Sequence, residues 1–422
     1  MEKINLKYGK TSIDLNIENA KSLKYLHEKD IKEIVDIEKE FNNSINNCVN
    51  SPSLNEVIAA DDKITIIISD ITRYWMRQDI IVSLLVNYLH DLGVSYDNMV
   101  IVVALGAHRP QTIEEMKILV TEEVYNNVKV LNHDCDAKDL VYLGETSRKT
   151  PVWLNPLVVN RKVITVSGTV HHLMAGFGGG RKSILPGVSG RLTISKNHIH
   201  SLSPDLPKSN PLIGTGSLEN NPLNEDMIEA AKMLNPCFSI NIVTNSNAKH
   251  CNLISGNIVD AWLESCRIVQ DNFGVPIEKQ EDIVIASCGG FPKDISLYQA
   301  TKSLFNANQC VKEGGTIIFI AQCPEGGGAD EFFGWIKSLK KGTLDSDLRA
   351  EFTIAGYIFY ATCEISQRVN VIMLTDIERD VVKDMKINAY KNIEHLLSGI
   401  DFTGKDVYVM PYGGNTVPFL SN

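Results

Sequence analysis

Four absences narrow the classes of protein to which this 422-residue chain can belong. The sequence has no apolar run of membrane-spanning length, and its first residues lack the basic and apolar regions of a signal peptide. It has no basic excess, since its formal net charge of −10 argues against nucleic acid or an anionic membrane as the main partner. It has no Cys-x-x-Cys pair, and its nine scattered cysteines are typical of reduced thiols. We therefore predict a cytoplasmic protein that binds neither nucleic acid nor membrane.

What the sequence does contain is typical of a globular enzyme. Hydrophobic residues make up 44% of the chain and charged residues 22%. A chain of this length exceeds the size at which one core keeps growing, so two domains are expected. We place an N-terminal domain at residues 1–270 and a C-terminal domain at 271–405, with a hinge near 267–281. The tail, residues 406–422, is predicted to return to the first domain.

Short β-branched runs recur along the chain, and each ends in a polar or glycine-rich turn. These runs are residues 64–68, 100–103, 163–166, 283–286, 316–321 and 407–410. Amphipathic stretches separate them, including a helix after residue 79 that Asp79 is expected to cap, and residues 4–17 predict a hairpin. Strands that alternate with helices predict two α/β domains with parallel or mixed sheets flanked by helices. Because ligands bind beyond the carboxyl ends of such strands, the polar turns are expected to converge.

The segment from residue 167 to residue 198 is the richest in side chains that can do chemistry. His171, His172 and His198 can move protons near neutral pH or ligate a metal. Lys182 can act as a covalent anchor or a phosphate partner. Glycines, which let the backbone approach a ligand closely, stand at positions 176, 178, 179 and 180. The segment is therefore predicted to form an active site.

Further candidates lie in two other turns and in one helix. The turn after the first strand carries Asp70 and Arg73, and the next carries His108 and Arg109. In the second domain, a helix that Asp294 or Ser296 can cap carries Tyr298, Gln299 and Lys302, of which the last two lie three apart and share a face. Candidates from both domains predict an active site in the interdomain cleft.

Seven motifs in order resemble those of the nickel-pincer lactate racemase family. They are Asp70-x-Thr-Arg73, Gly106-x-His108-Arg109-Pro110, Ser167-Gly-x-Val-x-His172, Ala175-Gly-Phe-x-Gly-Gly-x-Lys182, Pro186-Gly187, Asn197-His198 and Tyr298-Gln299-x-x-Lys302. The resemblance implies an isomerase that racemises or epimerises a small 2-hydroxy acid, with lactate as the default substrate. The chain departs from the family at His171, where proline is frequent, and at Gly178, where serine is common. Both positions border the predicted pocket, so another small or aliphatic 2-hydroxy acid is an alternative substrate.

The resemblance also implies a cofactor and its attachment site. The family uses a pyridinium-3-thioamide-5-thiocarboxylic acid mononucleotide whose ring carbon and two sulfur atoms hold nickel as a pincer. By match to motif, Lys182 is tethered to this nickel-pincer nucleotide through a thioamide, and His198 completes a square-planar nickel site, with His200 as the rival ligand. Further cofactor contacts are assigned to Asp70, Gly178, Gly179, Gly180 and Arg181. Cofactor maturation proteins are the implied partners.

The family mechanism assigns the remaining roles. His108 and His172 are implied as proton-transfer bases on opposite sides of the substrate, while the α-hydride moves to and from the pyridinium ring. Arg73, Gln299 and Lys302 are implied to hold the substrate carboxylate and to polarise the keto oxygen. Two alternatives stay open. One is a hydrolase or lyase with a three-histidine metal site at residues 108, 172 and 198, and the other is a non-catalytic homologue that binds the cofactor.

Overall fold

The computed structural model describes residues 2–328 and 330–421, which divide into two units. The N-terminal unit comprises Asp30–His200 and Leu212–Asp271. The C-terminal unit comprises Met1–Lys29, Ser201–Pro211 and Asn272–Asn422. No helix among the described residues has both the length and the apolar character needed to cross a bilayer.

A six-stranded sheet forms the centre of the N-terminal unit. Its strands in spatial order are His250–Gly256, Phe238–Thr244, Lys162–Gly168, Ile64–Ser69, Met99–Ala104 and Lys129–Asn132. The first strand is antiparallel to its neighbour and the other pairs are parallel. The central strands are β-branched and buried along their length, as expected for parallel strands covered on both faces. Small sheets add the strands Val141–Glu145, Pro151–Leu154, His171–His172, Ala175–Phe177 and Gly214–Thr215.

Helices flank this sheet. They are Ile37–Asn46, Leu54–Val57, Gln78–Asp91, Ile113–Val120, Glu122–Asn127, Arg191–His198, Pro222–Leu234 and Asp260–Phe273. The helix Gln78–Asp91 buries Ile81, Leu85 and Leu89 in the core. Its N-cap is Arg77 and not, as predicted, Asp79, because the Asp79 carboxylate lies in the first turn and accepts two hydrogen bonds from the Arg77 guanidinium, at 3.0 and 2.9 Å.

The C-terminal unit is built on a second six-stranded sheet in which all pairs are parallel. The strand order is Ile387–Tyr390, Asn370–Leu374, Val311–Ile320, Glu281–Ser287, Asp406–Met410 and Ser22–Tyr25. The helices are Leu297–Asn308, Asp330–Gly334, Ile336–Lys341, Leu344–Ala350, Ile354–Arg368, Arg379–Val382 and Ile393–Leu397. The predicted hairpin is present as Glu2–Tyr8 paired with Thr11–Ile17, and Gly274–Ile277 pairs with Val417–Leu420.

Both ends of the chain belong to the C-terminal unit, which differs from the prediction that residues 1–29 and the tail lie with the first domain. The strand Asp406–Met410 lies between Glu281–Ser287 and Ser22–Tyr25, and its apolar side chains are buried in this core. The Asp406 carboxylate also accepts hydrogen bonds from Ser22 and Lys279. The strand Asp406–Met410 therefore completes the sheet of the C-terminal unit, because its backbone pairs with both neighbouring strands and its apolar side chains are buried in that core.

Candidate active site

Three polar turns converge at one edge of the N-terminal sheet. The strands Lys162–Gly168, Ile64–Ser69 and Met99–Ala104 are parallel neighbours, so their carboxyl ends lie side by side. The Gly106 backbone N–H donates to the Gly187 carbonyl at 2.9 Å, which joins the turn of His108 to the Pro186-Gly187 turn that follows Lys182. The structure thus brings the motif residues of this unit together, as the strand pattern predicted.

Asp70 and His108 form a directed pair. The Asp70 carboxylate, 4% exposed, accepts a hydrogen bond from His108 Nδ1 at 2.5 Å and another from the Thr72 backbone N–H at 2.9 Å. Burial raises the pKa of Asp70, but the hydrogen bonds from His108 and Thr72 outweigh it and the net pKa is lowered. A carboxylate only accepts, so the imidazole proton lies on Nδ1 and the lone pair on Nε2. Asp70, predicted to contact the cofactor, thus orients His108.

His172 has the opposite arrangement. Its Nδ1 accepts the backbone N–H groups of Met174 and Ala175, at 3.1 and 3.2 Å. The ring proton therefore lies on Nε2, and the side chain presents an N–H donor. Burial and the charges of Lys182 and Arg73 hold the pKa of His172 well below its ordinary value, so the imidazole is neutral. The two predicted bases thus differ in the nitrogen that carries the proton of the neutral ring, which is Nδ1 in His108 and Nε2 in His172.

His198 has the features of a metal-ligating histidine. It ends the helix Arg191–His198, and its Nδ1 donates to the Ile194 carbonyl at 2.9 Å, which places the lone pair on Nε2. Burial and the charge of Lys182 lower its pKa to about 3, so the ring is neutral, as ligation requires. Nε2 of the rival ligand His200 lies 3.9 Å from the Asp226 carboxylate.

A buried carboxylate anchors the helix that carries His198. The Asn197 amide donates to Asp226 at 2.9 Å and to the Leu223 carbonyl at 3.1 Å. Asp226 also accepts hydrogen bonds from the hydroxyl groups of Thr146 and Thr150. Asn197 therefore ties the helix both to the Asp226 carboxylate and to the backbone at Leu223. No sequence motif marks Asp226, which lies 29 residues further along the chain.

Packing explains two of the glycines in the loop before Lys182. Gly180 has φ +51°, and a Cβ there would lie 2.4 Å from Cγ of Trp262. Gly179 has φ +76°, and a Cβ there would lie 2.8 Å from the Gly168 carbonyl. Gly178 differs, because its φ is ordinary and the nearest atom to an added Cβ is 3.6 Å away. Gly179 and Gly180 are therefore required by the fold, whereas Gly178 has space for the serine that the family often carries.

Arg181 holds this loop from inside. It is fully buried, and its guanidinium donates to the carbonyls of Ala175, Phe177 and Gly179 and to the Asn224 amide oxygen, at 2.7 to 3.2 Å. Its guanidinium carbon lies 3.7 Å from the ring centroid of Trp262, whose indole N–H donates to the Gly178 carbonyl at 2.8 Å. Arg181 was predicted to contact the cofactor, but these donors are used within the protein. Sequence reasoning missed Trp262 and Asn224, because no motif connects them to the loop.

The Lys182 amine lies in a positively charged setting. Burial and the charges of Arg181 and Arg73 hold its pKa well below its ordinary value, which favours the neutral amine. Within the part of the chain that the structure describes, the amine makes no hydrogen bond and no ion pair. A neutral amine is the form of lysine that reacts as a nucleophile.

Two other polar residues near the motifs have structural partners. His171 Nε2 is hydrogen-bonded to the Gln270 side chain at 2.9 Å, and burial lowers its pKa to about 4. Arg109 pairs with Glu115, at 2.6 and 2.8 Å. Both side chains are therefore held by partners within the N-terminal unit.

Gln299 and Lys302 lie in the C-terminal unit on the helix Leu297–Asn308. Lys302 Nζ donates to Gln299 Oε1 at 2.9 Å, so the two side chains share a face as predicted. Ser296 caps the helix, whereas Asp294 accepts the backbone N–H groups of Gly9 and Gln322. Their place in a cleft with the residues of the other unit stays a prediction.

The histidines do not form a three-ligand metal cluster. Among the described residues, only Asp134, Cys135 and Asp136 place three ligand atoms within 4.8 Å of one another. Asp134 and Asp136 are exposed, and Asp136 pairs with Arg191. The hypothesis of a three-histidine hydrolase or lyase site therefore lacks its ligand set.

Sequence comparisons give one consistent family. The profile of the lactate racemase N-terminal domain matches residues 8–208, and that of the lactate racemase C-terminal domain matches residues 277–413. The chain is 31% identical over 407 residues to a lactate racemase from Thermoanaerobacterium thermosaccharolyticum, which covers 94% of each chain. It is also 31% identical over 342 residues to a lactate racemase from Lactiplantibacillus plantarum, with 79% of this chain and 78% of that protein covered.

Comparison with solved structures supports the same fold. The lactate racemase apoprotein from Thermoanaerobacterium thermosaccharolyticum superposes with a TM-score of 0.87 at 28% identity, covering 99% of this chain and all of that one. A protein from Thermotoga maritima superposes with a TM-score of 0.63 at 16% identity, covering 91% of this chain and 97% of that one. At that identity the second match concerns the fold alone. Both agree with the mixed α/β architecture described above.

Proposed function

Because this chain belongs to the lactate racemase family and is therefore an isomerase, we propose that it racemises a small 2-hydroxy acid, with lactate as the default substrate. The observation that carries the proposal is that His108, His172, Lys182 and His198 lie in one unit. There the Asp70 carboxylate accepts the Nδ1–H of His108, and the charge of Lys182 acts on His172 and His198. A racemase must act on both mirror forms of its substrate, and two histidines with complementary protonation suit that task.

The residues present fit the nickel-pincer nucleotide that the family motifs imply. The Lys182 amine would form the tether, and His198, neutral with its lone pair on Nε2, would ligate the nickel. The loop of Gly178, Gly179 and Gly180 would border the nucleotide. When bound, this cofactor would supply a reversible hydride acceptor for the α-carbon of the substrate. The protein itself must then bind the carboxylate and move the hydroxyl proton.

His108 is placed to take the hydroxyl proton at Nε2, and Asp70 then stabilises the imidazolium through Nδ1. We assign the substrate carboxylate to Arg73, Gln299 and Lys302, with Arg supplying a two-pronged contact. His172 would hold the substrate oxygen on the opposite face through its Nε2–H, as a neutral imidazole can. To act as a base on that face, the ring would have to carry its proton on Nδ1 and leave Nε2 free. The two backbone N–H groups that now donate to Nδ1 would then have to move away.

A cytoplasmic location and dependence on maturation proteins are part of the same proposal. All nine cysteines are free thiols, which suits a reducing compartment. A tethered nickel nucleotide has to be made and delivered by other proteins, so activity should require their co-production.

The proposal is tested on chain co-produced with the maturation proteins and supplied with either enantiomer of lactate. Chiral chromatography should show racemisation, and substrate deuterated at the α-carbon should keep most of its label. His108→Gln and His172→Gln should each lower the rate by about 10²–10⁴-fold while nickel content is retained. Lys182→Arg should lack the mass of the adduct, whereas the control Lys196→Arg should carry it. Exchange of the α-hydrogen with solvent, or an adduct that survives Lys182→Arg, would refute the proposal.

A further inference from the structure

The inference concerns Asp226, a buried carboxylate that lies in none of the seven motifs. We propose that Asp226 is a positioning residue for the nickel site, because it fixes the helix Arg191–His198 and thereby the direction in which His198 presents its Nε2 atom. The proposal deepens the proposed function and rests on it in one respect, which is the assignment of His198 as the nickel ligand.

Asp226 joins three segments of the N-terminal unit. It is fully buried on the helix Pro222–Leu234. Its Oδ1 accepts a hydrogen bond from the Thr146 hydroxyl group, and its Oδ2 accepts one from the Thr150 hydroxyl group at 2.8 Å. Oδ2 also accepts the side-chain N–H of Asn197 at 2.9 Å. Hydrogen bonds to a buried carboxylate are stronger than those between neutral groups, so this one side chain ties the three segments together.

The helix Arg191–His198 is held on one face by two polar side chains. Thr193 and Asn197 are four residues apart and therefore lie on the same face of the helix. Asn197 is anchored to Asp226, as described. Thr193 Oγ1 donates to the Pro151 carbonyl at 2.6 Å, one residue after a hydroxyl group that binds Asp226. The two anchors of this face thus belong to one continuous network of hydrogen bonds.

The amide of Asn197 is oriented by its nitrogen. That nitrogen donates to two acceptors on the helix Pro222–Leu234, which are the Asp226 carboxylate and the Leu223 carbonyl at 3.1 Å. The Oδ1 atom is buried and, among the described residues, accepts no hydrogen bond. Loss of the carboxylate would therefore leave Asn197 with one neutral acceptor, and the end of the helix that carries His198 would be less firmly held.

The rotation of this helix decides where Nε2 of His198 lies. The ring follows the helix, because its Nδ1 donates to the Ile194 carbonyl of the same helix at 2.9 Å. Successive residues of a helix differ in direction by about 100°, so anchoring Asn197 also sets the direction of its neighbour. A rotation of about 10° moves an atom about 5–6 Å from the helix axis by about 1 Å. Metal–ligand distances vary by about 0.2 Å, so such a rotation would break the coordination.

Two other carboxylates on the helix Pro222–Leu234 provide a comparison. Glu229 accepts hydrogen bonds from the backbone N–H and the hydroxyl group of Ser147, both at 2.7 Å, and Glu225 pairs with Arg148. Both bind the same turn as Asp226, and within the described ranges neither is hydrogen-bonded to the metal-ligand helix. A loss of nickel that came merely from loosening this turn would also appear in Glu229→Gln, which is therefore the matched control.

The test uses the chain co-produced with the maturation proteins. Nickel loss to excess EDTA is followed by absorbance and by metal analysis, and intact mass reports the tethered adduct. Asp226→Asn is the informative variant, because its amide is isosteric but offers one acceptor atom to three donors. It should keep the adduct and lose nickel about tenfold faster than the parent, as expected when a group that orients a metal ligand is removed. Asp226→Glu, which moves the carboxylate by one methylene group, should act in the same direction.

Three further variants separate positioning from stability. Glu229→Gln should lose nickel at the parent rate. Ile81→Val removes one methylene group from the hydrophobic core, so it should lower the urea midpoint and still keep the parent rate. His198→Ala gives the rate and the absorbance spectrum of a site without its imidazole ligand, and the spectrum of Asp226→Asn should shift toward that spectrum.

Hydrogen exchange of the chain without cofactor supplies a readout that is independent of nickel. Peptides covering residues 191–198 should exchange faster in Asp226→Asn than in the parent and in Glu229→Gln. Unchanged exchange in these peptides overturns the proposal. So does the parent rate of nickel loss in an Asp226 variant that retains the native circular dichroism spectrum, or an equal acceleration in Glu229→Gln.

The role of His198 is judged separately. If His198→Ala loses nickel quickly and the Asp226 variants do not, the inference fails and the proposed function stands. If His198→Ala keeps nickel at the parent rate, the ligand assignment fails and takes the nickel role of Asp226 with it. The exchange data then still decide whether Asp226 anchors the helix.

Discussion

Replacement of Gly180 by alanine tests whether the loop before Lys182 is as tightly determined as the structure indicates. The change adds one methyl group at a residue with φ +51°. Its carbon would lie 2.4, 2.6 and 2.8 Å from Cγ, Cβ and Cδ1 of Trp262. The indole has little freedom to move, because it is buried, stacked by Arg181 and hydrogen-bonded to the Gly178 carbonyl. The strain must therefore be absorbed by the loop.

The magnitude follows from two contributions. Left-handed backbone costs alanine about 1–2 kcal/mol, and overpacking of a close-packed site costs about 1–3 kcal/mol. Gly180→Ala should thus lower the free energy of unfolding of the N-terminal unit by about 2–5 kcal/mol. Urea unfolding followed by tryptophan fluorescence measures this as a shift of the transition midpoint at unchanged slope.

Gly178→Ala is the matched control two residues away. Its added methyl group would meet no atom closer than 3.6 Å, and its φ is ordinary. We expect its free energy of unfolding to stay within about 0.5 kcal/mol of the parent value. If both variants unfold at the same urea concentration, the packing of Gly180 against Trp262 does not constrain the loop, and the reasoning fails.

Three further predictions address the pocket and the pH dependence. Asp70→Asn should lower racemisation by about 10²-fold or more without loss of nickel, because His108 loses the negative charge that stabilises its imidazolium form; full activity would contradict a role for the pair. Gly178→Ser should retain the adduct and most of the activity, as measured by intact mass and chiral chromatography, since the site has space for the side chain. His133 is 2% exposed and burial lowers its pKa, so on acidification below about 6.5 the unfolded chain takes up a proton that the folded chain does not. Below that pH, this residue should lower the free energy of unfolding by up to about 1.4 kcal/mol per pH unit. His133→Gln should reduce this slope when urea unfolding is measured at several pH values. An unaltered slope would exclude the contribution of His133.

The fold class and the convergence of the polar turns in the N-terminal unit could be predicted because they depend on local patterns. Uninterrupted β-branched runs such as residues 64–68 mark buried parallel strands, and the polar residues after them lie at the carboxyl edge wherever such strands adjoin. The spacing of Gln299 and Lys302 on one helix was likewise a local matter, and the observed hydrogen bond agrees with it. The unit to which the tail belongs could not be predicted from local patterns. An apolar strand could join the sheet of either unit, and only its pairing with Ser22–Tyr25 and Glu281–Ser287 assigns it to the C-terminal unit.

The sequence by itself therefore predicted which residues would carry the chemistry, because motif spacing and residue type are written in the chain. It did not determine their chemical states. The proton of His108 is placed by Asp70, 38 residues away, and that of His172 by two backbone N–H groups of its own turn. Arg181 looks in sequence like a cation beside a glycine loop, yet its contacts with Asn224 and Trp262 bury it inside that loop. Protonation depends on burial and on the direction of each hydrogen bond, and both exist only once the tertiary structure has brought distant partners into place.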